Sequence, residues 1–354
     1  MDLKNFIIDN VDRFLEYLKQ NPLVIYARRS VDAYLAAYAL AAALGETAQV
    51  SVVDWPPQAG VCVGFRCEGM YITEWGVGVD DRRFDAGFTS MSHLASVLIQ
   101  SLSPLEEQIH RSLYAGHYSW SVDYCEYGCP PPREILKGDE RLAVAFPFLE
   151  KLPARRALSL STLPIVPGVT GKPAEDSKLA SAMGPDEALA LLDWALGVVH
   201  SEGFHTAVLD KALRLYSPAF APADFAARVE ADLAGFVGRD VELYVQNLAD
   251  AFYGVVKRGR EGVVPMQNPF YVLKIPPYLS YYLRLSGWAA LRYDAGRGHV
   301  VALVPPRGER DRLAKAAELL GEVGQVLRFP THLVAYVERD KYADFLKIYE
   351  KGFV

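Results

Sequence analysis

The sequence predicts an α/β protein, with a parallel, Rossmann-like sheet in its N-terminal part, a smaller α/β unit at the C-terminus, and a long helix between them. Three observations carry this. Leu23-Val24-Ile25-Tyr26 reads as a short buried strand that runs through the tight loop Ala27-Arg28-Arg29-Ser30 into an Ala- and Leu-rich helix from Asp32. Short apolar runs alternate with helical patterns over the first 124 residues, as βα units require. The last hundred residues repeat that alternation on a smaller scale.

In chain order, residues 2–19 read as one helix with Phe6, Ile7, Val11, Phe14, Leu15 and Leu18 on one face. After the strand–loop–helix unit, 50–53 reads as a second strand, ended by Asp54-Trp55-Pro56-Pro57. Residues 61–65 and 70–74 read as two more strands, 76–87 as a loop, and 89–114 as helix with a break at Ser103-Pro104. Residues 125–139 read as a loop and 141–152 as an apolar helix. Two further helices are expected over 185–215, and another over 225–236. Val241, Val245, Leu248, Phe252 and Val255 recur at spacings of four, three, four and three, a helix face ending in Lys257-Arg258-Gly259-Arg260. Beyond it, 270–275, 287–293, 299–304, 325–328 and 332–337 read as strands, with helices at 311–320 and 342–351. This helix is the candidate boundary, dividing the chain into residues 1–237, the helix at 238–260, and residues 261–354. Tyr278-Leu279-Ser280-Tyr281-Tyr282 is aromatic enough to be either an interface or core.

The chain has 354 residues, 51% hydrophobic and 23% charged, with a net charge of −6. This is ordinary for a globular protein and argues against duplex DNA as its main partner, while leaving room for a local basic groove. The N-terminus is charged and amphipathic rather than a signal peptide. No apolar run reaches the about 18 residues that a membrane span needs, so a cytoplasmic protein is expected. Cys62 and Cys67, then Cys125 and Cys129, have spacings that suit buried thiols or disulfides better than a zinc or iron–sulfur site. The seven histidines are scattered. Residues 161–172 end in Gly171-Lys172 but fail the phosphate-loop pattern, with Val166 and Pro173 at decisive places.

The loop after the first strand resembles the first motif of the DHH phosphoesterase family, the RecJ-like nucleases and phosphodiesterases, in which a strand ends in His-x-Asp-x-Asp-x-Asp-Gly. On that pattern Tyr26 takes the histidine place, and Arg28 and Ser30 take the first two aspartate places. Asp32 keeps the third, and Ala33 replaces the glycine. The family's reaction uses two divalent cations held by carboxylates and imidazoles. One carboxylate beside two arginines cannot hold them, so no metal, cofactor or catalytic residue is expected. The second motif, Asp-His-His, is matched only by Asp80 in Val79-Asp80-Asp81-Arg82, without histidines. In the C-terminal, DHHA1-like part, His332 falls on the histidine of the family's Gly-Gly-Gly-His motif, while Phe329-Pro330-Thr331 occupies the glycine places. Glycines there let phosphate approach the backbone.

With both motifs altered, the chain is similar to the non-catalytic RecJ relatives, the cell-division-cycle-45 group. That resemblance implies a structural adaptor in the archaeal replicative helicase, associated with the nucleoid, bound to GINS and MCM and guiding single-stranded DNA. Arg28, Arg29 and His332 would be its phosphate or DNA contacts. Alternatively, Arg28 pairs with Asp32 and fills the empty cavity. A metal-dependent phosphodiesterase or single-strand exonuclease, and a nucleotide-binding sensor, are the competing readings.

Overall fold

A computed structural model describes residues 2–20, 22–45, 48–125, 132, 134–135, 141–144, 147–162, 165, 170–171, 213–216, 221–236, 240–258, 262–282 and 287–353. The chain divides into two compact units, residues 1–145 with 213–230, and residues 146–212 with 231–354. The helix expected to connect two domains lies within the second unit.

The first unit begins with two helices, α1 (Leu3–Asp9) and α2 (Val11–Leu18), where one was expected. Asn10 ends the first: its side-chain amide donates to the Phe6 carbonyl at 2.8 Å, taking an acceptor the helix would otherwise use. Next come β1 (Leu23–Arg28), α3 (Val31–Leu44), β2 (Ala48–Val53), β3 (Ala59–Val63) and β4 (Glu68–Thr73). The loop expected over 76–87 is a hairpin, β5 (Gly76–Val79) and β6 (Arg82–Asp85). Its turn is Asp80-Asp81, with Asp80 at φ 52°, a conformation Asp tolerates better than most residues. Two helices follow, α4 (Met91–Leu102) and α5 (Glu107–Tyr124), separated at Ser103-Pro104 as expected.

These strands form one six-stranded sheet in the order β2-β1-β3-β4-β5-β6. The pairings β2–β1, β1–β3 and β3–β4 are parallel, and β5 and β6 add antiparallel strands at the far edge. α3 is buried along most of its length. In its run of alanines, Ala33, Ala36 and Ala37 share one buried core with Ile25, Ala27, Val61 and Val63 of the sheet. The helix expected over 141–152 is replaced by a short strand, β7 (Arg141–Val144), which pairs antiparallel with β8 (Leu213–Tyr216). Pro147 explains the failure, since its ring excludes a helix running through the preceding turn. Apart from β8, the helices expected over 185–215 lie outside the described residues.

α6 (Ala154–Ser159) belongs to the second unit, and α7 (Pro222–Leu233) crosses the division. The second unit continues with α8 (Val241–Arg258), β9 (Val263–Pro265), α9 (Pro269–Lys274) and α10 (Pro276–Tyr282). After them come β10 (Ala289–Asp294), β11 (Gly298–Val304), a 3₁₀ segment (Arg307–Arg312) and α11 (Leu313–Gly321). β12 (Gly324–Arg328), β13 (Leu333–Glu338) and α12 (Tyr342–Gly352) complete it. The strand expected at 270–275 is the helix α9. Asn268 caps it, accepting from Phe270 N–H at 2.9 Å, and Pro269 occupies the first turn, a helix-start signal that overrides the β-like apolar run. The sheet order is β12-β13-β11-β10-β9, antiparallel except for β10–β9. Helices cover both faces, and one face centres on Val301, Leu303, Ala335, Val337 and Phe345. Tyr278 and Leu279 are buried, so at least the start of that aromatic stretch is core.

A disulfide joins Cys62, on β3, to Cys67, just before β4. Cys125 is disulfide-bonded as well, and Cys129 lies outside the described residues. Closing so short a loop stabilises by about 2 kcal/mol in the chain-entropy account. Cys67→Ala should therefore lower unfolding stability by about 2 kcal/mol, read from denaturant midpoints at unchanged slope.

Candidate functional site

In a parallel sheet the chemistry sits beyond the carboxyl ends of the strands. Here that edge is defined by Asp54 after β2, Arg28 and Arg29 at the end of β1, Gly64 after β3 and Glu74 after β4. The N-termini of α3 and α4 face the same edge, with Asp32 in the first turn of α3 and Ser90 as the cap of α4.

Arg28 occupies the centre and is only 2% exposed. Its guanidinium donates to the Gly64 carbonyl at 3.1 Å and forms an ion pair with Glu74, which is equally buried. Gly64 has φ +92°, and a Cβ there would stand 2.6 Å from the Cβ of Arg28, so this place accepts only glycine. Arg29 turns the other way, with Nε 2.5 Å and a terminal nitrogen 3.2 Å from the two carboxylate oxygens of Asp54. This two-point contact fixes the plane of both groups.

Asp32 is 5% exposed, and both its oxygens are engaged. One accepts from Met91 N–H at 2.7 Å, the other from Ser92 N–H at 2.9 Å and Ser92 Oγ–H at 2.6 Å. Asp32 thus supplies acceptors to the first turn of α4, where backbone donors have no intrahelical partners. Ser90 adds a cap, accepting from His93 N–H at 3.1 Å, and its hydroxyl lies 2.8 Å from Nδ1 of buried His117. Gly116 permits the approach of α5: a Cβ there would fall 2.1 Å from Ser92 Oγ and 3.3 Å from Asp32 Oδ1. Burial pushes the Asp32 carboxyl from the usual 3.8 up to about 7, against the pull of its hydrogen bonds to Ser92 and Met91 and with a further push from Glu74. Around this group Trp75 packs on Phe88, and Phe88 on Trp120 and Tyr124, at centroid distances of 5.2, 5.4 and 5.8 Å. Burial raises the Tyr124 hydroxyl well above its ordinary value.

The expected residues therefore separate. Arg28 and Asp32 lie at the same edge, but the expected pairing is replaced: Arg28 pairs with Glu74 and Asp32 with the first turn of α4. Ser30 begins α3 with its hydroxyl buried and without a hydrogen-bond partner, and half-buried Tyr26 packs near Gly60. Asp80 does not join them. Val79 pairs with Met70 near the start of β4, so Asp80 turns at the amino ends of the parallel strands. There it accepts from Tyr17 O–H at 2.5 Å and lies 3.6 Å from Arg13. His332 is fully buried in the second unit, in the turn between β12 and β13. Its ring stacks on Phe329 at 4.6 Å, and Nδ1 lies 2.9 Å from Thr331 Oγ1. Sequence reasoning missed Glu74, Asp54, Ser92 and Gly116. The legible signal for the first was Glu74-Trp75 between Thr73 and Gly76, a two-residue turn closing a hairpin.

The two-cation centre of the DHH phosphoesterases does not fit these residues. A guanidinium fills the first aspartate place, and both oxygens of the surviving aspartate are engaged by a helix N-terminus. Among the described residues, no group of three or more His, Cys, Asp or Glu side chains is placed to hold a metal ion. No described helix is long and apolar enough to cross a membrane.

Glu74→Leu alone should destabilise the protein by about 3–5 kcal/mol, and adding Arg28→Met should recover most of the loss, since a buried charge is costly chiefly when its partner is removed. Denaturant unfolding of the two single variants and the double reads this directly. For Asp32 the folded state keeps a proton between about pH 4 and 7 that the unfolded chain has released. Because the folded state binds more protons there, its stability falls as pH rises through that window. The difference in stability between wild type and Asp32→Asn should shift in the variant's favour from pH 4 to 7.

No family model matches the sequence, and no curated protein matches it. Solved structures do. CDC45 from Entamoeba histolytica matches at 8% identity over 99% of each chain, with a TM-score of 0.52. RecJ from Thermus thermophilus in complex with Mn²⁺ matches at 11% identity over 98% of this chain and 53% of its own, with a TM-score of 0.38. The chain thus spans about half of that RecJ. An exonuclease RecJ bound to manganese gives 12% identity, 98% and 93% coverage, and a TM-score of 0.38. At these identities the likeness concerns architecture, and it rests on the CDC45 match spanning nearly the whole of both chains: this protein has an α/β fold similar to that of CDC45.

Proposed function

We propose that this chain is a non-catalytic RecJ-like replication factor, an adaptor that joins GINS and MCM in an archaeal replicative helicase. The observation that carries the reading is the Arg28–Glu74 ion pair at the carboxyl edge of the parallel strands. Two-metal phosphodiester hydrolysis needs several carboxylates or imidazoles converging on two cations at that edge. A buried guanidinium there repels a divalent cation, and it already neutralises the acidic side chain nearest to it. Both oxygens of Asp32 already accept from the first turn of α4, so a cation taking them would compete with that cap.

The fold likeness to CDC45 supports the assignment to replication, and the reading assigns the chain a place at the nucleoid. It does not use Arg28, Arg29 or His332 as DNA contacts. Arg28 and His332 are buried, and Arg29 is engaged by Asp54. Recombinant chain mixed with GINS and MCM should elute with them in gel filtration. With Mn²⁺ or Mg²⁺ it should leave labelled single-stranded DNA and dinucleotides intact at enzyme excess. Separate elution from both partners, or manganese-dependent hydrolysis abolished by Asp32→Ala, would overturn the reading.

A further inference from the structure

Two of the strands that end at the carboxyl edge, β3 and β4, are joined by a very short connection. They lie side by side and run parallel, residues 59–63 against 68–72, and only residues 64–67 connect them. Adjacent parallel strands ordinarily need a crossover of about a dozen residues or more. Here the chain returns from the level of Ile72, which Val63 faces, to the level of Glu68 itself. At the rise of an extended strand that is about 13 Å, so four residues cover it with little slack. The return is fastened at both ends. At its start Gly64 N–H donates to the Ile72 carbonyl at 2.7 Å, and the Gly64 carbonyl accepts from Arg28 at 3.1 Å. At its end Cys67 is bonded to Cys62 of β3, and between the two points Phe65 is fully buried. The sulfurs differ in access, since Cys62 is fully buried and Cys67 only half-buried.

We propose that the Cys62–Cys67 disulfide is a redox latch on the carboxyl edge: a dithiol reductant opens it, frees the four-residue return, and withdraws the Gly64 carbonyl from Arg28. A thiolate of the reductant attacks Sγ of Cys67, the accessible sulfur, forming a mixed disulfide and expelling the Cys62 thiolate. The reductant's second thiolate then attacks its own sulfur in that mixed disulfide and expels the Cys67 thiolate. Both protein thiolates take up a proton. Two electrons and two protons have passed to the protein, and the dithiol has become a cyclic disulfide. A bond elsewhere in the unit would add stability without touching the candidate site, but this one closes the ring that contains Gly64. With so little slack, movement of Cys67 away from β3 is passed to Gly64, three residues upstream. Arg28 then keeps Glu74 but loses its carbonyl acceptor, and a guanidinium that is 2% exposed must admit water or an anion. The closed edge is thereby a property of the oxidised chain, whatever partner the chain serves.

The test follows hydrogen exchange in the full wild-type chain before and after incubation with dithiothreitol, with the opened thiols located by alkylation and mass spectrometry. Alkylation should reach Cys67 before Cys62. In the reduced chain the Gly64 amide and the Arg28 guanidinium should exchange at least about tenfold faster, while amides of β11 and β13 stay unchanged. Reoxidation should restore the slow rates. Cys125 is disulfide-bonded too and meets the same reductant, so a Cys62→Ala, Cys67→Ala double variant separates the two bonds. It should show the fast rates without reductant and no further change with it, and the wild-type comparison stands whether or not this variant folds. A disulfide that resists dithiothreitol in the folded chain, or that opens with Gly64 and Arg28 unchanged, overturns the latch. Exchange that rises together across the whole first unit overturns it as well, since the bond is then a general staple of the fold.

Discussion

The buried pair of Arg28 and Glu74 is the constraint around which the first unit is arranged. A guanidinium 2% exposed must have its charge and its donors satisfied by the protein. Glu74 provides the charge, and it can do so because β4 turns back into β5 after two residues, leaving the carboxylate at the sheet's edge. The Gly64 carbonyl provides a further acceptor, and it reaches Arg28 only because a residue without Cβ stands there. Three adjacent parallel strands, β1, β3 and β4, thus each end on a group that the pair requires. Removing one charge would leave the other stranded, whereas replacing both with apolar groups would spare the interior most of that penalty. The pair therefore fixes the geometry of the edge more than it adds to the stability of the chain.

That arrangement bears on what this edge can do. A site for phosphate chemistry keeps its polar groups turned toward a ligand and completes their coordination only when the ligand arrives. Here the polar groups answer one another: Arg28 with Glu74, Arg29 with Asp54, and Asp32 with the first turn of α4. The aromatic rings of Trp75, Phe88, Trp120 and Tyr124 pack beside them. Burial raises the cost of displacing any of these partners. The charged groups of the neighbourhood are thus engaged with one another and with the first turn of α4.

Much of the first unit was legible in the sequence because its strands are short apolar runs bounded by turn residues, and because β1 enters α3 through a loop of distinctive composition. The differences arise at the residues that start, stop or turn elements, which periodicity does not register. Asn10 divides a helix that hydrophobic periodicity alone would run through. Asn268-Pro269 turns Phe270 to Lys274 into a helix although its apolar residues suit a strand equally well. Asp80-Asp81 makes a hairpin where a charged stretch looked like a loop. At the candidate site, Arg28 and Asp32 were legible because they stand four positions apart in one loop and helix start, which suffices to place them at one edge. Glu74, Asp54 and Ser92 were not, since each reaches the edge from a different strand or helix. Asp80 and His332 show the converse, as a motif alignment gave both a role while strand register and burial place them elsewhere.

Asp32 sharpens the point, because it keeps the third aspartate of the first motif that this loop resembles. Retention at a motif position is ordinarily read as retained chemistry. Yet both oxygens of this carboxylate are occupied by backbone and hydroxyl donors of α4, and Gly116 is shaped to let that contact form. Losing the carboxylate would orphan the first turn of a helix whose Met91, Leu94, Ala95 and Leu98 are core. An aspartate can therefore be held at this position by the fold alone, with no metal to ligate. What distinguishes the two cases is the neighbour at the first aspartate place: a second carboxylate would make the site want a cation, and Arg28 makes it want an anion, which Glu74 already is.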